Sequence, residues 1–264
     1  MRLWSLVAAF VLALTMQAIA ADKVVLFAAG SLKSALGEVA KSFTEESGIA
    51  VETSFGPSGL LRERIEKGEP AQVFASANMS HPRALSEAGK AGPVTLFARN
   101  RLCALAQPEL SLASDRLLET MLDPAVRVGT STPKSDPAGD YAFALFGKAD
   151  ALEPGAASTL EAKALKLTGG PDSPKPPQGR NPYGWLMGEK QADIFLTYCT
   201  NALLAQAEVP DLEIVRIPEA LAVGADYGIV VLKGAPPEGE RLAAFILSPA
   251  GQAILGRYGF TTTP

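Results

Sequence analysis

Apolar positions along this chain change their spacing at intervals, and the changes mark its elements. Val24, Val25, Leu26 and Phe27 form an unbroken β-branched and aromatic run, the pattern of a strand covered on both faces. Leu32, Leu36, Val39 and Ala40 then recur at helical spacing, so the period changes across Ala28 to Ser31. The same order of strand, small-residue turn, serine and helix recurs at once, as Ala50 to Ser54, then Gly56-Pro57-Ser58-Gly59, then Leu60 to Lys67. Gln72 to Ser76 predicts a third strand, followed by a helix around Arg83 to Gly89. This βαβαβα order argues for a parallel sheet flanked by helices. Such sheets place ligands at the carboxyl ends of their strands, which is where Ser31 and Ser58 fall.

Val94 to Ala98 and Leu102 to Ala106 are apolar segments separated by Arg99-Asn100-Arg101, which reads as the passage into a second lobe. There the pattern predicts a helix over Asp115 to Leu122, a strand over Ala125 to Gly129, and a helix over Tyr141 to Gly147 opened by Pro137-Ala138-Gly139-Asp140. Small residues at Ala138 and Gly139 let another group approach the backbone closely, or merely punctuate a helix start. Ser158 to Leu167 reads as a further helix. Pro171 to Pro182 is proline-rich and irregular, a lid-like loop or a plain connector. It delivers Arg180 and Asn181 to a helix over Tyr183 to Lys190. Ala192 to Thr197 is a strand, and Tyr198-Cys199-Thr200-Asn201 begins the next helix. Strands over Leu212 to Ile217 and Tyr227 to Leu232, then helices over Glu240 to Ile246 and Gln252 to Arg257, finish the chain.

The first twenty residues follow a different rule. A charge at Arg2, an apolar run from Leu3 to Met16 and the ending Ala18-Ile19-Ala20 read as a secretory signal peptide cut after Ala20. The apolar run is short for a bilayer span. Export to the periplasm as a soluble protein is the expectation.

Charge and residue usage exclude several classes. The formal net charge is −4, with 24 basic and 28 acidic residues; cleavage removes only Arg2 among them, leaving 23 against 28, or −5. A mildly acidic chain without a basic run is poorly suited to nucleic acid or anionic membranes. Cys103 and Cys199 are too few for a zinc or iron–sulfur framework and either pair in an oxidising compartment or remain free. His81, the only histidine, lies in the polar segment SHPRAL and reads as a solvated loop residue. No carboxylate or histidine cluster has metal-ligand spacing, and Gly169-Gly170 lacks the lysine of a P-loop. An exported serine hydrolase using Ser31 or Ser58 is the rival from another class. Against it, Leu60 stands where a nucleophile elbow needs its second glycine, and His81 is the only histidine available as a base.

What the chain has in quantity is neutral donors at helix starts. A helix start carries unsatisfied N–H groups and the positive end of the macrodipole, so it can hold an anion without a cationic side chain. A serine there adds a hydroxyl, although a single serine can equally cap its own helix. A cleft lined by donors alone favours a wholly deprotonated oxyanion such as sulfate or molybdate; phosphate would call for an acceptor as well.

The stretches VVLFAAGSLKSAL, SFGPSGLLRERI, DPAGDYA, ADIFLTYCTNA and LSPAGQAILGRYGF together resemble the periplasmic molybdate-binding proteins of ABC transporters, over essentially the whole mature chain. The resemblance implies an α/β, type II periplasmic binding protein fold, two lobes each with a mainly parallel sheet flanked by helices and a ligand cleft between them. The division expected is a signal peptide over 1–20, the first lobe over 21–101, the second over 102–222 and a return to the first over 223–264. It further implies capture of molybdate or tungstate by the hydroxyls of Ser31 and Ser58, the main chain at Ala138 and the phenol of Tyr198. No cofactor and no catalysis are expected; the partner is a permease in the inner membrane, and the protein acts as a monomer. Arg180 departs from the family's pattern, where a small apolar residue donates only its main-chain N–H. Its guanidinium could contact the anion, pair with Asp136 or Asp140, or stand in solvent, and the first of these would admit other oxyanions. The rival within this class is the same fold holding sulfate, a phosphonate or an organic acid.

Overall fold

The computed structural model describes residues 23–262; the expected signal peptide at 1–20 lies outside them. The chain begins as β1 (Lys23–Ala29), α1 (Lys33–Ser47), β2 (Ala50–Gly56), α2 (Ser58–Glu66), β3 (Val73–Ser76), α3 (Ser80–Glu87) and β4 (Thr95–Ala106). It continues as α4 (Leu117–Leu122), β5 (Val128–Ser131), α5 (Pro137–Ala149), α6 (Ala156–Lys163), β6 (Leu165–Thr168), α7 (Pro182–Gly188), β7 (Ile194–Tyr198) and α8 (Cys199–Glu208). It ends with β8 (Glu213–Arg216), β9 (Gly224–Val231), α9 (Pro237–Leu247), α10 (Pro249–Arg257) and β10 (Thr261–Thr262).

The strands run in the order β2-β1-β3-β9-β4-β7-β5-β6, with β8 and β10 also paired to β4. β1 lies parallel to β2 and β3, and β5 lies parallel to β6 and β7, as the βα alternation requires. β9 and β4 run antiparallel to their neighbours and join the two groups. β4 takes part in both: Thr95 to Arg101 pair with β9, Leu102 to Ala106 pair with β7, and Cys103 to Ala106 pair with β8. Two sub-sheets therefore share one strand, and the chain passes between them at Arg101 and Leu102 and again into β9.

Helices cover both faces of each sub-sheet. Leu36, Val39 and Phe43 of α1 join Leu242 and Ile246 of α9 on one face of the first, and Leu61, Ile65 and Leu85 of α2 and α3 bury Phe27 and Phe74 on the other. In the second sub-sheet, Ala142, Leu145 and Phe146 of α5 cover one face, while Tyr183, Leu186 and Ala202 of α7 and α8 enclose Phe195 on the other. Cys103 of β4 is disulfide-bonded to Cys199 at the start of α8, with their Cα atoms 4.9 Å apart.

Three sequence expectations change. The two apolar segments around Arg99-Asn100-Arg101 form one strand, because Arg99 and Arg101 face solvent while Asn100 is buried, which preserves a period of two. The helix expected over Ser158 to Leu167 stops at Lys163, and Leu165 to Thr168 pair with β5 as β6; the four-residue alternation is too short to stand out against the helical pattern before it. His81 is no solvated loop residue. It lies in α3, 6% exposed, with neither ring nitrogen hydrogen-bonded among the described residues.

Burial, reinforced by the charge of Arg62, pushes the His81 imidazole down to about 4. The sign follows from linkage: between pH 6.5 and about 4 the unfolded chain takes up a proton that the folded chain refuses, so stability falls on acidification. At pH 4.5 the penalty is about 2–3 kcal/mol, from 1.36 kcal/mol per unit. The urea-unfolding free energy of the wild type should drop by that much more than that of His81→Gln between pH 8 and pH 4.5. Parallel curves for the two proteins would refute the assignment.

Candidate functional site

The carboxyl ends of β1, β2 and β3 lie on one edge of the first sub-sheet, and those of β5, β6 and β7 on one edge of the second. The two edges meet. Ser31 follows β1, Ser58 opens α2 after β2, and Ala77 follows β3. From the other side come the loop after β5 and Tyr198, the last residue of β7. Gly59 N–H donates to the Ser135 carbonyl across this junction at 2.9 Å.

A chain of contacts links the hydroxyls. Ser31 Oγ and Tyr227 Oη share a hydrogen bond of 3.0 Å, and the Tyr227 ring leans on that of Tyr198 with centroids 5.5 Å apart. Tyr198 Oη donates to the Ala77 carbonyl at 3.4 Å, and Ala77 N–H donates to Ser58 Oγ at 3.1 Å. Ser58 accepts through its oxygen, so its own proton stays available to a ligand. Asn100 Nδ2 donates to Thr200 Oγ1 at 2.8 Å and lies 3.4 Å from Tyr227 Oη. Ser58, Tyr198 and Tyr227 are within 1% of complete burial.

Ser31, Ser58 and Tyr198 thus come together, and Tyr227 stands among them. In the sequence pattern Tyr227 lies on a strand and carries no expected role. A lone phenol in the buried run Tyr227-Gly228-Ile229-Val230 was the available signal, but its destination depends on β9 inserting between β3 and β4. Burial pushes the Tyr198 and Tyr227 phenols well above the usual tyrosine range, and Tyr141 and Tyr183 up to about 12, so all four keep their protons as donors near neutral pH.

The other two implied contacts are placed differently. Ala138 is fully buried at the start of α5, but its N–H donates to Asp136 Oδ1 at 3.0 Å, as expected for an aspartate at an N-cap. The close approach at Gly139 is made by the chain itself: a Cβ there would lie 2.5 Å from the Ser131 carbonyl oxygen and 2.6 Å from Pro133 N. Arg180 pairs with Glu208 at the end of α8, whose other oxygen accepts from Asn181 N–H at 2.6 Å. Arg180 is exposed, and its partner is neither Asp136 nor Asp140, which take their hydrogen bonds from Ala138 and Lys134. Nor does α7 offer its first turn to a ligand: Pro182 has no N–H, and Asn181 Oδ1 accepts from Tyr183 and Gly184.

Asp136 itself is the unexpected member. Burial raises its carboxyl to about 6 against the opposing hydrogen bonds from Ala138 N–H and the Ser131 hydroxyl, and Asp140 adds to the rise. Its charge is felt at the phenols of Tyr183 and Tyr198. The cleft edge therefore holds hydroxyl donors from both sub-sheets and one carboxyl acceptor. Among the described residues His81 makes no hydrogen bond to Ser31 or Ser58.

The model of the bacterial extracellular solute-binding protein family matches residues 24–261. The uncharacterized protein PM1146 of Pasteurella multocida is 36% identical over 237 residues, covering 89% of this chain and 97% of that protein. The molybdate-binding protein ModA of Rhodobacter capsulatus is 29% identical over 233 residues, covering 80% of this chain and 89% of its own length. Among solved structures, the periplasmic molybdate-binding protein of Azotobacter vinelandii superposes with a TM-score of 0.72 at 20% identity, covering 91% of this chain and all of that one. The sulfate-binding protein SubI of Mycobacterium tuberculosis superposes with a TM-score of 0.75 at 16% identity, covering 92% and 87%. These likenesses show the type II periplasmic binding protein fold.

Proposed function

The chain belongs to the bacterial extracellular solute-binding protein family, and from that premise we propose that it captures a tetrahedral oxyanion, molybdate or tungstate, between two lobes. The family binds solutes and does not transform them. In this reading the two sub-sheets are the lobes, the chain crossings at Arg101–Leu102 and before β9 are the hinge, and a closed, loaded protein is what an ABC transporter permease receives. The observation that carries it is the meeting of the two carboxyl edges over uncharged donors, Ser31, Ser58, Tyr198 and Tyr227. Hydroxyls and helix-start dipoles spread the charge of an oxyanion without a cation. Arg99 is paired with Asp226 at 3.0 Å and Arg180 with Glu208.

One observation favours the rival of a different small anion. Asp136 provides an acceptor in a cleft otherwise made of donors, and an acceptor suits an anion that keeps a proton, such as hydrogen phosphate or a phosphonate. Isothermal titration of the ligand-stripped protein with molybdate, tungstate, sulfate and phosphate separates the two. Tight one-to-one heat with molybdate or tungstate and little with the others is expected. Preference for sulfate or phosphate would keep the cleft and replace the ligand, and silence with all four would end the oxyanion reading.

A further inference from the structure

We propose that Asp136 couples ligand capture to a proton: an oxyanion enters this cleft with one proton held between its oxygen and the Asp136 carboxyl. The inference rests on the oxyanion reading above and goes beyond it, because it names the residue that decides which protonation state of the complex forms.

The geometry places the carboxyl at the start of α5. Asp136 Oδ1 already holds the Ala138 N–H, the main-chain donor that an anion at this helix start would otherwise use. The Ser131 hydroxyl opposes the rise in the Asp136 carboxyl, and Ser131 Oγ is itself 2.7 Å from Thr168 Oγ1. On the far side stands Gly169, in the left-handed region at φ 76°, where a Cβ would lie 2.4 Å from Asp136 Cβ and 2.6 Å from Oδ2. A side chain there would push the carboxyl out of place, so the glycine makes room for it. Immediately before Asp136, the Ser135 carbonyl receives the Gly59 N–H, which brings this loop against the neighbour of Ser58 on the opposite edge. The aspartate is therefore held at the junction by its Oδ1, by the space left at Gly169 and by the chain before it.

The charges around it do not offset an incoming anion. On its own helix stands Asp140, which repels; on its loop stands Lys134, exposed, with its main-chain N–H on Asp140. From β5 comes the neutral Ser131, itself bonded to Thr168 of β6; from α7 and β7 come the phenols of Tyr183 and Tyr198, which feel its charge; and from α2 the uncharged Gly59 reaches the adjacent Ser135. Two anions in contact in such a setting cannot both remain fully ionised, as two carboxylates sharing a site cannot. Burial alone already lifts the Asp136 carboxyl toward neutrality, and an anion beside it lifts it further. The proton has two possible sources. A fully deprotonated anion such as molybdate draws it from solvent onto Asp136, whereas hydrogen phosphate brings its own and leaves Asp136 ionised.

Titration calorimetry with molybdate and with phosphate, in buffers of differing ionisation enthalpy between pH 6.5 and 8.5, counts these protons. For molybdate, the wild type should take up one proton per anion at pH 8 and lose affinity about tenfold per pH unit, from the linkage of one proton to binding. Whatever heat hydrogen phosphate gives at pH 8 should carry no proton uptake. Asp136→Asn keeps an acceptor for Ala138 N–H, and with molybdate it should show a flat profile and bind at pH 8 roughly 100-fold more tightly than the wild type. Asp136→Ser, which also caps the helix, should flatten the profile in the same way and guards against a folding defect in either variant. Molybdate bound tightly, with no proton uptake and an affinity constant across this range, would overturn the proposal and leave the oxyanion reading intact. No heat with either anion, at any pH and in all three proteins, would overturn both.

Discussion

Gly59→Ala is expected to lower anion affinity about 100-fold while leaving the unliganded protein as stable as before. Gly59 is the second residue of α2, and its N–H meets the Ser135 carbonyl at 2.9 Å on the opposite edge of the cleft. A Cβ at this position would lie 2.3 Å from the Lys134 carbonyl oxygen and 2.8 Å from that of Ser135. Both obstructing atoms are backbone, so neither can rotate away. Overpacking of this kind costs about 1–3 kcal/mol, and the lost hydrogen bond about 1 more. The whole cost falls on the closed arrangement, because Gly59 sits outside the left-handed region and alanine fits its helix at least as well. At 1.4 kcal/mol per factor of ten, a penalty near 3 kcal/mol corresponds to the stated loss. Two readouts separate a closure defect from a damaged site. The ligand-free melting temperature should stay level or rise, and small-angle scattering of the variant with saturating ligand should show a larger fraction of the open form. Unchanged affinity would mean that the Gly59–Ser135 contact is no part of the bound state.

The site was legible in the sequence where its signals are local. Ser31 and Ser58 each follow a strand and precede a helical period, and the topology then needs only parallel pairing of β1, β2 and β3 to bring them to one edge. Tyr198 could be placed for the same reason, as the residue at which a strand gives way to a helix. Tyr227 could not, because its neighbours come from strand order: β9 reaches Ser31 only by entering antiparallel between β3 and β4. The partner of Arg180 was hidden for a related reason. Its partner Glu208 lies 28 residues further on, across the packing of α7 against α8. Asp136 is the more instructive case, since an Asp-Pro pair opening a helix predicts an N-cap carboxylate on the N–H two residues later. Assigning the Ala138 N–H to a ligand by resemblance overlooked the local acceptor that already claims it.

Removing the disulfide is expected to have the largest effect on stability. Cys103 and Cys199 lie 96 positions apart in sequence, and their bond closes a loop containing β5, β6, β7 and every helix between. For a loop of about 100 residues the chain-entropy treatment gives about 4.7 kcal/mol, through the restriction of the unfolded chain. At roughly 2–4 °C per kcal/mol for a domain of this size, the double variant Cys103→Ala, Cys199→Ala should melt roughly 10–15 °C lower. The position of the bond adds a consequence for the cleft. Cys199 directly follows Tyr198, and Cys103 pairs in the sheet with Thr197, so the bond secures the end of the strand that presents the phenol. The folded core around that strand, including Phe195 and Leu196, is otherwise complete, so the site should survive at low temperature. The expected pattern is a large loss in melting temperature with anion affinity at 20 °C kept within a few-fold. A fall in affinity as large as that for Gly59→Ala would instead assign the disulfide to holding Tyr198 in place. A thiol titration of denatured, unreduced wild type must first find no free thiol, since two would leave no bond to remove.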